Sequence, residues 1–311
     1  MKMIKYLLVF FLLSVIPSYN LTAQDKTDHG KKSESRSGNE EIDEKEKEHV
    51  VHWNFGINIG GYYANKYPAE FYNGAAYNIN NVNYVMSNYY WYQDIKHALG
   101  ASDTVVVTED DYPMNMHYKF AMMGGLFIRY NFNFNWGLCL DVNYTQLKAE
   151  DAVTFEVDPQ SYLTYPDIRY IPIRGVEQRV HLNLMLQRNF RLQSRIYFFV
   201  QGGLNLNYVR VLQSSIYVED REYNLINIYG SQYYVPGLSL QEYTVIQGGV
   251  GYGFMAAGGA GIPLTDMFGI EPGVFFNYNN VNLEGYNQFK PSFGINLRLL
   301  FGNILPIPDD E

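Results

Sequence analysis

The sequence is poor in cysteine and in charge. Cys139 is the single cysteine among 311 residues, which excludes an intrachain disulfide framework and a cysteine-based zinc site. We also expect no lipid anchor, which would need a cysteine at a signal-peptide junction. Charged residues make up 18% of the chain, and the formal net charge of -9 leaves no basic surface to neutralise phosphates. Nucleic acid is therefore not expected as a partner.

Long apolar runs are also lacking, since none reaches the roughly 20 residues of a membrane-spanning helix. The run at 7–16 follows Lys2 and Lys5 and precedes the small-residue cleavage point at Ala23. This order predicts a secretory signal peptide over residues 1–23. The mature chain is expected to cross the inner membrane without a helical anchor.

Large apolar side chains are almost missing from residues 24–49, where Lys, Glu, Asp and Ser dominate. Such a segment cannot bury enough surface to offset its ordering entropy. We predict a charged, disordered periplasmic linker. A partner-binding role for this linker is the less favoured alternative.

The sequence is rich in aromatic residues, which make up 16% of the chain and include 29 Tyr. From Val50 onward, apolar residues recur with a period of two. Eight segments alternate apolar with small or polar residues, each near the length of a tilted membrane strand, about 9–11 residues. The segments are 52–63, 118–132, 136–144, 180–186, 196–208, 246–254, 268–278 and 293–301.

Three features favour a membrane barrel over a soluble sandwich. The apolar face carries no charge, as lipid contact requires. Aromatic residues gather near segment ends, where interfacial girdles lie. Connections alternate between long (64–117, 149–175, 212–243) and short (133–135, 189–195, 263–267).

The predicted fold class is thus all-β: an eight-stranded antiparallel up-and-down transmembrane β-barrel with long extracellular loops. It spans residues 50–301 and lies in the outer membrane, with outer-membrane lipid as its surroundings. Because the apolar face switches from even to odd positions before the last strand, the loop near 280–288 should hold an even number of residues.

The last strand carries spacing that resembles the assembly signal read by the barrel-insertion machinery, which we expect as a partner. The signal residues are Ser292, Gly294, Leu297, Leu299 and Phe301. Residues 302–311, with Pro306 and Pro308, cannot continue the ladder and are predicted to form a periplasmic tail.

The chain resembles the PorT-like outer-membrane β-barrel proteins of Gram-negative bacteria over roughly residues 53–301. The resemblance rests on the signal ending at Ala23 and Gln24, on the Gly-rich pieces at 201–204 and 248–252, and on 293–296. It implies a porin-like cell-envelope protein. For some members it implies assistance to protein secretion, and hence envelope or secretion-complex partners.

Four charged residues fall on the inward face: Arg129, Asp141, Glu271 and Arg298. An eight-stranded barrel is narrow enough for side chains to fill, so we expect these charges to pair into a plug. A proton or ion path is the alternative.

The first long loop holds the remaining candidates. His97 and His117, with Asp103 and the acidic 109–111, lack the spacing of a base beside a nucleophile, so no enzyme, metal or cofactor is expected. Tyr89, Tyr90, Trp91 and Tyr92 lie among many Asn residues, a composition typical of adaptable binding surfaces. The loop is predicted to contact a glycan or protein, or else to cap the lumen.

The favoured function is that of a non-enzymatic outer-membrane barrel that acts through this loop. An accessory component of a secretion or envelope-assembly complex is the alternative. A small passive pore is the third hypothesis, and a hydrolase with its site at the outer rim of the barrel is the fourth.

Overall fold

A computed structural model describes residues 52–133, 135–158, 167–191 and 196–302. The predicted signal peptide, the linker and, apart from Gly302, the C-terminal tail lie outside these residues. No helix in the described part of the chain is both long and apolar enough to cross a membrane.

The described residues form ten strands and four short helices. The strands are β1 (His52–Tyr63), β2 (Val105–Val106), β3 (Ala121–Asn131), β4 (Trp136–Val157), β5 (Asp167–Arg191), β6 (Tyr197–Val218), β7 (Arg221–Asn224), β8 (Val250–Pro263), β9 (Phe268–Asn279) and β10 (Lys290–Gly302). The helices are α1 (Val82–Met86), α2 (Tyr89–Leu99) and two 3₁₀ helices at Tyr67–Tyr72 and Glu109–Asp111.

Eight of these strands close into one antiparallel ring. Each pairs with the next along the chain, and β1 closes the ring by pairing with both β3 and β10. At one level Phe55 faces Phe301 on one side and Ile128 on the other. β2 adds to the end of β4 and β7 to the end of β6, outside the ring. The predicted eight-stranded up-and-down barrel is confirmed.

The hairpin lengths follow the parity of the outward face. Five residues separate the last paired positions at 132–136, 192–196 and 264–268. Ten separate β9 from β10, at 280–289. An outward residue must pair with an outward residue of the neighbouring strand. A connection with an odd number of residues therefore keeps the outward face on the same odd or even positions, and a connection with an even number switches it. The even loop predicted near 280–288 is confirmed.

Three strands are longer than predicted, and this is the main correction to the sequence interpretation. β4, β5 and β6 contain 22, 25 and 22 residues, whereas the alternation predicted 136–144, 180–186 and 196–208. Much of the connections predicted at 149–175 and 212–243 is therefore strand. These strands are much longer than the roughly 9–11 residues that a membrane crossing needs, so they extend beyond the membrane.

The polarity of the alternation reverses where these strands leave the membrane. On β4 the inward side is polar up to Thr145, but Leu147, Val153 and Phe155 further along are inward, apolar and fully buried. The outward side correspondingly becomes polar at Gln146 and Lys148. The outward apolar face of β4 ends at this reversal, and the alternation therefore predicted a shorter strand.

The prediction also placed strand β8 too early in the chain, at 246–254. The strand runs from Val250 to Pro263 and includes the small residues of 256–261. Glycine and alanine carry too little side chain to show alternation, so the sequence pattern ended early.

The barrel exterior is an apolar belt that no other described part of the chain covers. Leu184 is 45% and Val274 61% exposed, although both are aliphatic and lie on central strands. A contiguous exposed apolar surface of this size marks contact with lipid or a partner. A closed barrel also leaves no unpaired strand edge, as hydrocarbon surroundings require. The protein is an integral barrel of the outer membrane.

Candidate functional site

The four inward charges predicted from the sequence meet inside the barrel, and we call them the lumen cluster. Arg129 Nη1 donates to Glu271 Oε1 at 2.8 Å, and Arg298 Nη2 donates to Asp141 Oδ2 at 2.6 Å. Arg298 Nη1 lies 3.9 Å from Glu271 Oε2, which joins the two pairs. All four side chains are at most 2% exposed. Two cations balance two carboxylates in a region closed to water.

Two further residues form hydrogen bonds with the lumen cluster, and neither was assigned to it from the sequence. Tyr197 Oη donates to Glu271 Oε1 at 2.6 Å. Arg298 Nη1 donates to Gln201 Oε1 at 2.9 Å. The odd numbers of Tyr197 and Gln201, in a strand whose even positions face lipid, were the available signal.

Amides fill the lumen above the charges. Asn58 Nδ2 donates to Asn143 Oδ1 at 2.8 Å. On the other side Asn205 Nδ2 donates to Asn183 Oδ1 at 2.6 Å, and Asn205 Oδ1 accepts from Asn279 Nδ2 at 2.7 Å. These side chains are buried and paired with one another, as buried polar groups must be.

Aromatic rings occupy the space that glycines leave on the inner wall. A Cβ on Gly261 would lie 2.0 Å from the Tyr197 ring, and one on Gly56 would lie 2.7 Å from the Phe127 ring. The lumen is thus packed with side chains at several levels. This packing argues against the passive-pore alternative.

A second charged group, the upper cluster, lies where the lumen meets the first long loop. It consists of Tyr72, Tyr118, Glu177 and Arg179. Tyr72 Oη and Tyr118 Oη donate to Glu177 Oε2 at 2.6 and 3.0 Å, and Arg179 Nε donates to Glu177 Oε1 at 2.6 Å. Burial and then the charge of Glu177 raise the pKa of Tyr72 and of Tyr118, so both hydroxyls stay protonated and can donate.

The first long loop, residues 64–117, folds as a lid over the inner faces of β4, β5 and β6 beyond the membrane. Phe71, Val82, Val85 and Ile95 of this lid are almost fully buried. Each such side chain contributes about 1.5–3 kcal/mol by leaving water. The inward apolar residues of the extended strands provide the surface on which the lid packs.

Asp158 attaches the lid to the tip of β4. Its carboxylate accepts hydrogen bonds from the backbone N–H groups of Ser102, Asp103 and Thr104 at 2.8, 2.6 and 3.0 Å. These donors, Ser102 and Asp103 first, lower the pKa of Asp158 to about 2. The carboxylate therefore stays charged and keeps these contacts across the physiological pH range.

The titratable residues of the lid make local contacts. His117 Nδ1 lies 3.2 Å from the carbonyl oxygen of Asn115. Asp111 Oδ2 accepts from the backbone N–H of Thr108 at 2.6 Å and so caps its own short helix. His97 is exposed in the last turn of α2. Within the described residues, no three His, Cys, Asp or Glu side chains group as metal ligands would.

The predicted contact surface is only part of a partly exposed cluster, the aromatic patch, which consists of Tyr89, Tyr90, Trp91, Tyr229, Tyr233 and Tyr234. Trp91 stacks on Tyr234, with ring centroids 4.8 Å apart and planes at 21°. Tyr89 remains 61% and Tyr233 52% exposed. The side chain of Asn88 caps α2 by accepting from the backbone N–H groups of Tyr90 and Trp91, which fixes the start of the helix.

Tyr92, the fourth residue of the predicted surface, has a different place. Its hydroxyl accepts a hydrogen bond from the backbone N–H of Val105 at 3.1 Å, inside the lid. Tyr229, Tyr233 and Tyr234 come from the loop between β7 and β8 and were not considered in the sequence interpretation.

The predicted assembly-signal residues all lie on the ring-closing strand β10. Ser292 faces inward and accepts from Tyr62 Oη at 3.0 Å, and Gly294 lies against the inward ring of Phe275. Leu297, Leu299 and Phe301 alternate on the outward side. Phe301 packs on Phe268 with ring centroids 5.4 Å apart. The outward residues thus belong to the lipid-facing belt.

No family model matches the sequence, and no curated protein matches it either. Similar solved structures include Neisserial surface protein A (NspA), with 9% identity, a TM-score of 0.37 and coverage of 80% of this chain and 96% of that one. The outer membrane protein OprG from Pseudomonas aeruginosa has 8% identity, a TM-score of 0.35 and coverage of 81% and 92%. Ail of Yersinia pestis, in complex with the heparin analogue sucrose octasulfate, has 8% identity, a TM-score of 0.30 and coverage of 81% and 97%.

Proposed function

We propose that this protein is a non-enzymatic outer-membrane barrel that holds a binding surface at the cell exterior. The observation that supports this proposal is the aromatic patch, in which Tyr89, Tyr90 and Tyr233 stay exposed next to the buried core of the lid. Tyrosine and tryptophan provide large contact areas with little conformational entropy to lose. The stacking of Trp91 on Tyr234 restricts the rings further. The partner is an extracellular glycan or protein with flat apolar faces and polar groups at their edges.

In this proposal the lid also caps the lumen. Its inner side inserts Tyr72 above the amide layer, where the Tyr72 hydroxyl donates a hydrogen bond to Glu177. Its outer side carries Tyr89 and Tyr90. Capping and binding are therefore roles of opposite faces of one segment, and the sequence alternatives for this loop do not exclude each other.

Replacing Tyr89 and Tyr233 together by Ala is expected to weaken binding to the extracellular partner by roughly tenfold or more, because central aromatic contacts carry much of the energy of an interface. Glycan arrays and binding to intact cells measure the effect. Tyr170→Ala is the matched control, since this strongly exposed tyrosine lies on β5 outside the patch. Equal binding by the double variant and the control would contradict a role for the patch.

The resemblance to PorT-like proteins supports a second candidate, an accessory role in protein secretion or envelope assembly. Mild crosslinking followed by purification separates the two functions. A constant set of envelope proteins retained by the aromatic-patch variant would favour the accessory role. Loss of partners with the patch would favour the binding role.

A further inference from the structure

A polar cleft lies on the outer wall of the barrel, immediately beyond the lipid-facing belt. It has a volume of about 460 Å³ and opens between the outward faces of β4, β5 and β6. Its lining residues are Gln146, Lys148, Arg174, Val176, Leu212, Gln213, Ser215, Glu222 and Asn224. The cleft is distinct from the lumen cluster, the lid and the aromatic patch.

Strand pairing gives the height of the cleft above the membrane. Tyr144, Val180 and Tyr208 form one row across the three strands and end the apolar belt there. Each further row of outward residues lies two residues along the strands, which is roughly 5 Å along the membrane normal at a tilt of about 45°. Lys148 is in the second row and Arg174 in the third, roughly 10–15 Å beyond the row that contains Tyr144. This is the level of the headgroups of the outer leaflet.

The surface around the cleft has the opposite charge to the chain as a whole. Lys119 and Arg210 flank Lys148 and Arg174, whereas the carboxylates here are Glu150 and Glu222. Four cations against two anions leave a local excess of positive charge in a protein whose net charge is -9. Such a local reversal of sign favours an anionic ligand.

Arg174 is held in place before any ligand arrives. Its Nε lies 2.8 Å from Glu150 Oε1, and its guanidinium carbon lies 5.1 Å from the ring centre of Tyr217. Lys119 forms an ion pair with the same carboxylate. The hydrogen bond from Lys119 and then the charge of Arg174 lower the pKa of Glu150, which keeps this arrangement charged. Prior fixing of a long side chain reduces the entropy lost on binding.

The remaining lining suits a headgroup that contains sugar. Gln213 Nε2 and Ser215 Oγ both donate to Glu222 Oε1 at 2.7 Å, which places a carboxylate acceptor at the far wall. Gln146 and Asn224 add amide donors and acceptors. Val176 and Leu212 form an apolar floor.

We propose that this cleft binds the phosphorylated sugar headgroup of an anionic glycolipid of the outer leaflet. Its acyl chains lie along the belt below Tyr144 and Tyr208, its phosphate lies between Lys148 and Arg174, and its hydroxyls contact the amides and Glu222. Charge-assisted hydrogen bonds of this kind are about twice as strong as neutral ones. A headgroup without sugar would leave the amide wall without a partner.

The test uses the full chain, extracted from its membrane and placed in phosphatidylcholine nanodiscs that contain purified lipopolysaccharide, phosphatidylglycerol or dephosphorylated lipopolysaccharide. Native mass spectrometry measures the lipid retained. Lys148→Gln with Arg174→Gln is expected to reduce retention of lipopolysaccharide by roughly tenfold or more. Lys96→Gln with Arg169→Gln removes the same charge from the lid and the tip of β5, and it should retain the lipid as the native chain does.

Several outcomes overturn the proposal. Equal retention by the cleft variant and the control would remove the site. Retention of phosphatidylglycerol or dephosphorylated lipid by the native chain as strong as that of lipopolysaccharide would remove the headgroup assignment. Displacement of the lipid by inorganic phosphate alone at millimolar concentration would point to a soluble anion instead. Different gel mobility of heated and unheated samples verifies that both variants form the closed barrel.

Discussion

Replacing Glu271 by Gln is expected to lower the free energy of unfolding by about 3–5 kcal/mol, because it removes one member of a buried ion pair and leaves its partner uncompensated. Arg129 would lose its 2.8 Å contact to a carboxylate, and Tyr197 would lose a charged acceptor. Two arginines would then face the single carboxylate of Asp141. Urea unfolding of the protein in lipid vesicles measures the change.

Glu150→Gln is the matched control for this prediction. It makes the same chemical change in a carboxylate that pairs with Lys119 and Arg174, but it does so at the barrel exterior, where water screens the charges. Exposed pairs contribute about 0–1 kcal/mol, so the control should unfold close to the native chain. Equal stability of Glu271→Gln and Glu150→Gln would show that the lumen cluster does not stabilise the barrel.

Tyr72→Ala is expected to release the lid while the barrel stays folded. The Tyr72 ring is fully buried and packs against the backbone of Gly175, and the Tyr72 hydroxyl donates a hydrogen bond to Glu177. Truncation of a buried aromatic side chain costs about 3–5 kcal/mol, which is enough to unfold a segment held mainly by its own packing. Limited proteolysis should cut the lid of the variant at protease concentrations that leave the native chain intact.

Tyr77→Ala provides the comparison within the lid, since Tyr77 is 74% exposed. It should resist proteolysis as the native chain does. Protease resistance of Tyr72→Ala at the level of Tyr77→Ala would mean that Tyr72 does not hold the lid over the lumen.

The membrane-crossing part of the barrel was predictable because lipid and lumen impose opposite demands on alternate residues. One parity of each strand faces hydrocarbon and excludes charge, so Leu182, Leu184 and Leu186 identify the outward side of β5. Asp141 and Glu271 follow as inward residues. Only parity is needed for this step, and parity is visible in the sequence.

The part beyond the membrane was not predictable in the same way. There water replaces lipid outside and the lid replaces the polar lumen inside, so Leu147 and Phe155 reverse the pattern on one continuous strand. The pairing of Tyr72 with Glu177 joins residues 105 positions apart. The aromatic patch combines two loops that only the closed fold brings together, as in the contact between Trp91 and Tyr234.

Solubility of the purified protein without detergent tests the lipid-facing belt most directly. Residues such as Phe254 and Ile295 are 62% and 58% exposed, so removal of detergent should aggregate the protein, whereas detergent should keep it monodisperse. Size-exclusion chromatography of the protein before and after detergent removal gives the answer. A monodisperse, water-soluble monomer in detergent-free buffer would show that hydrocarbon does not surround this barrel.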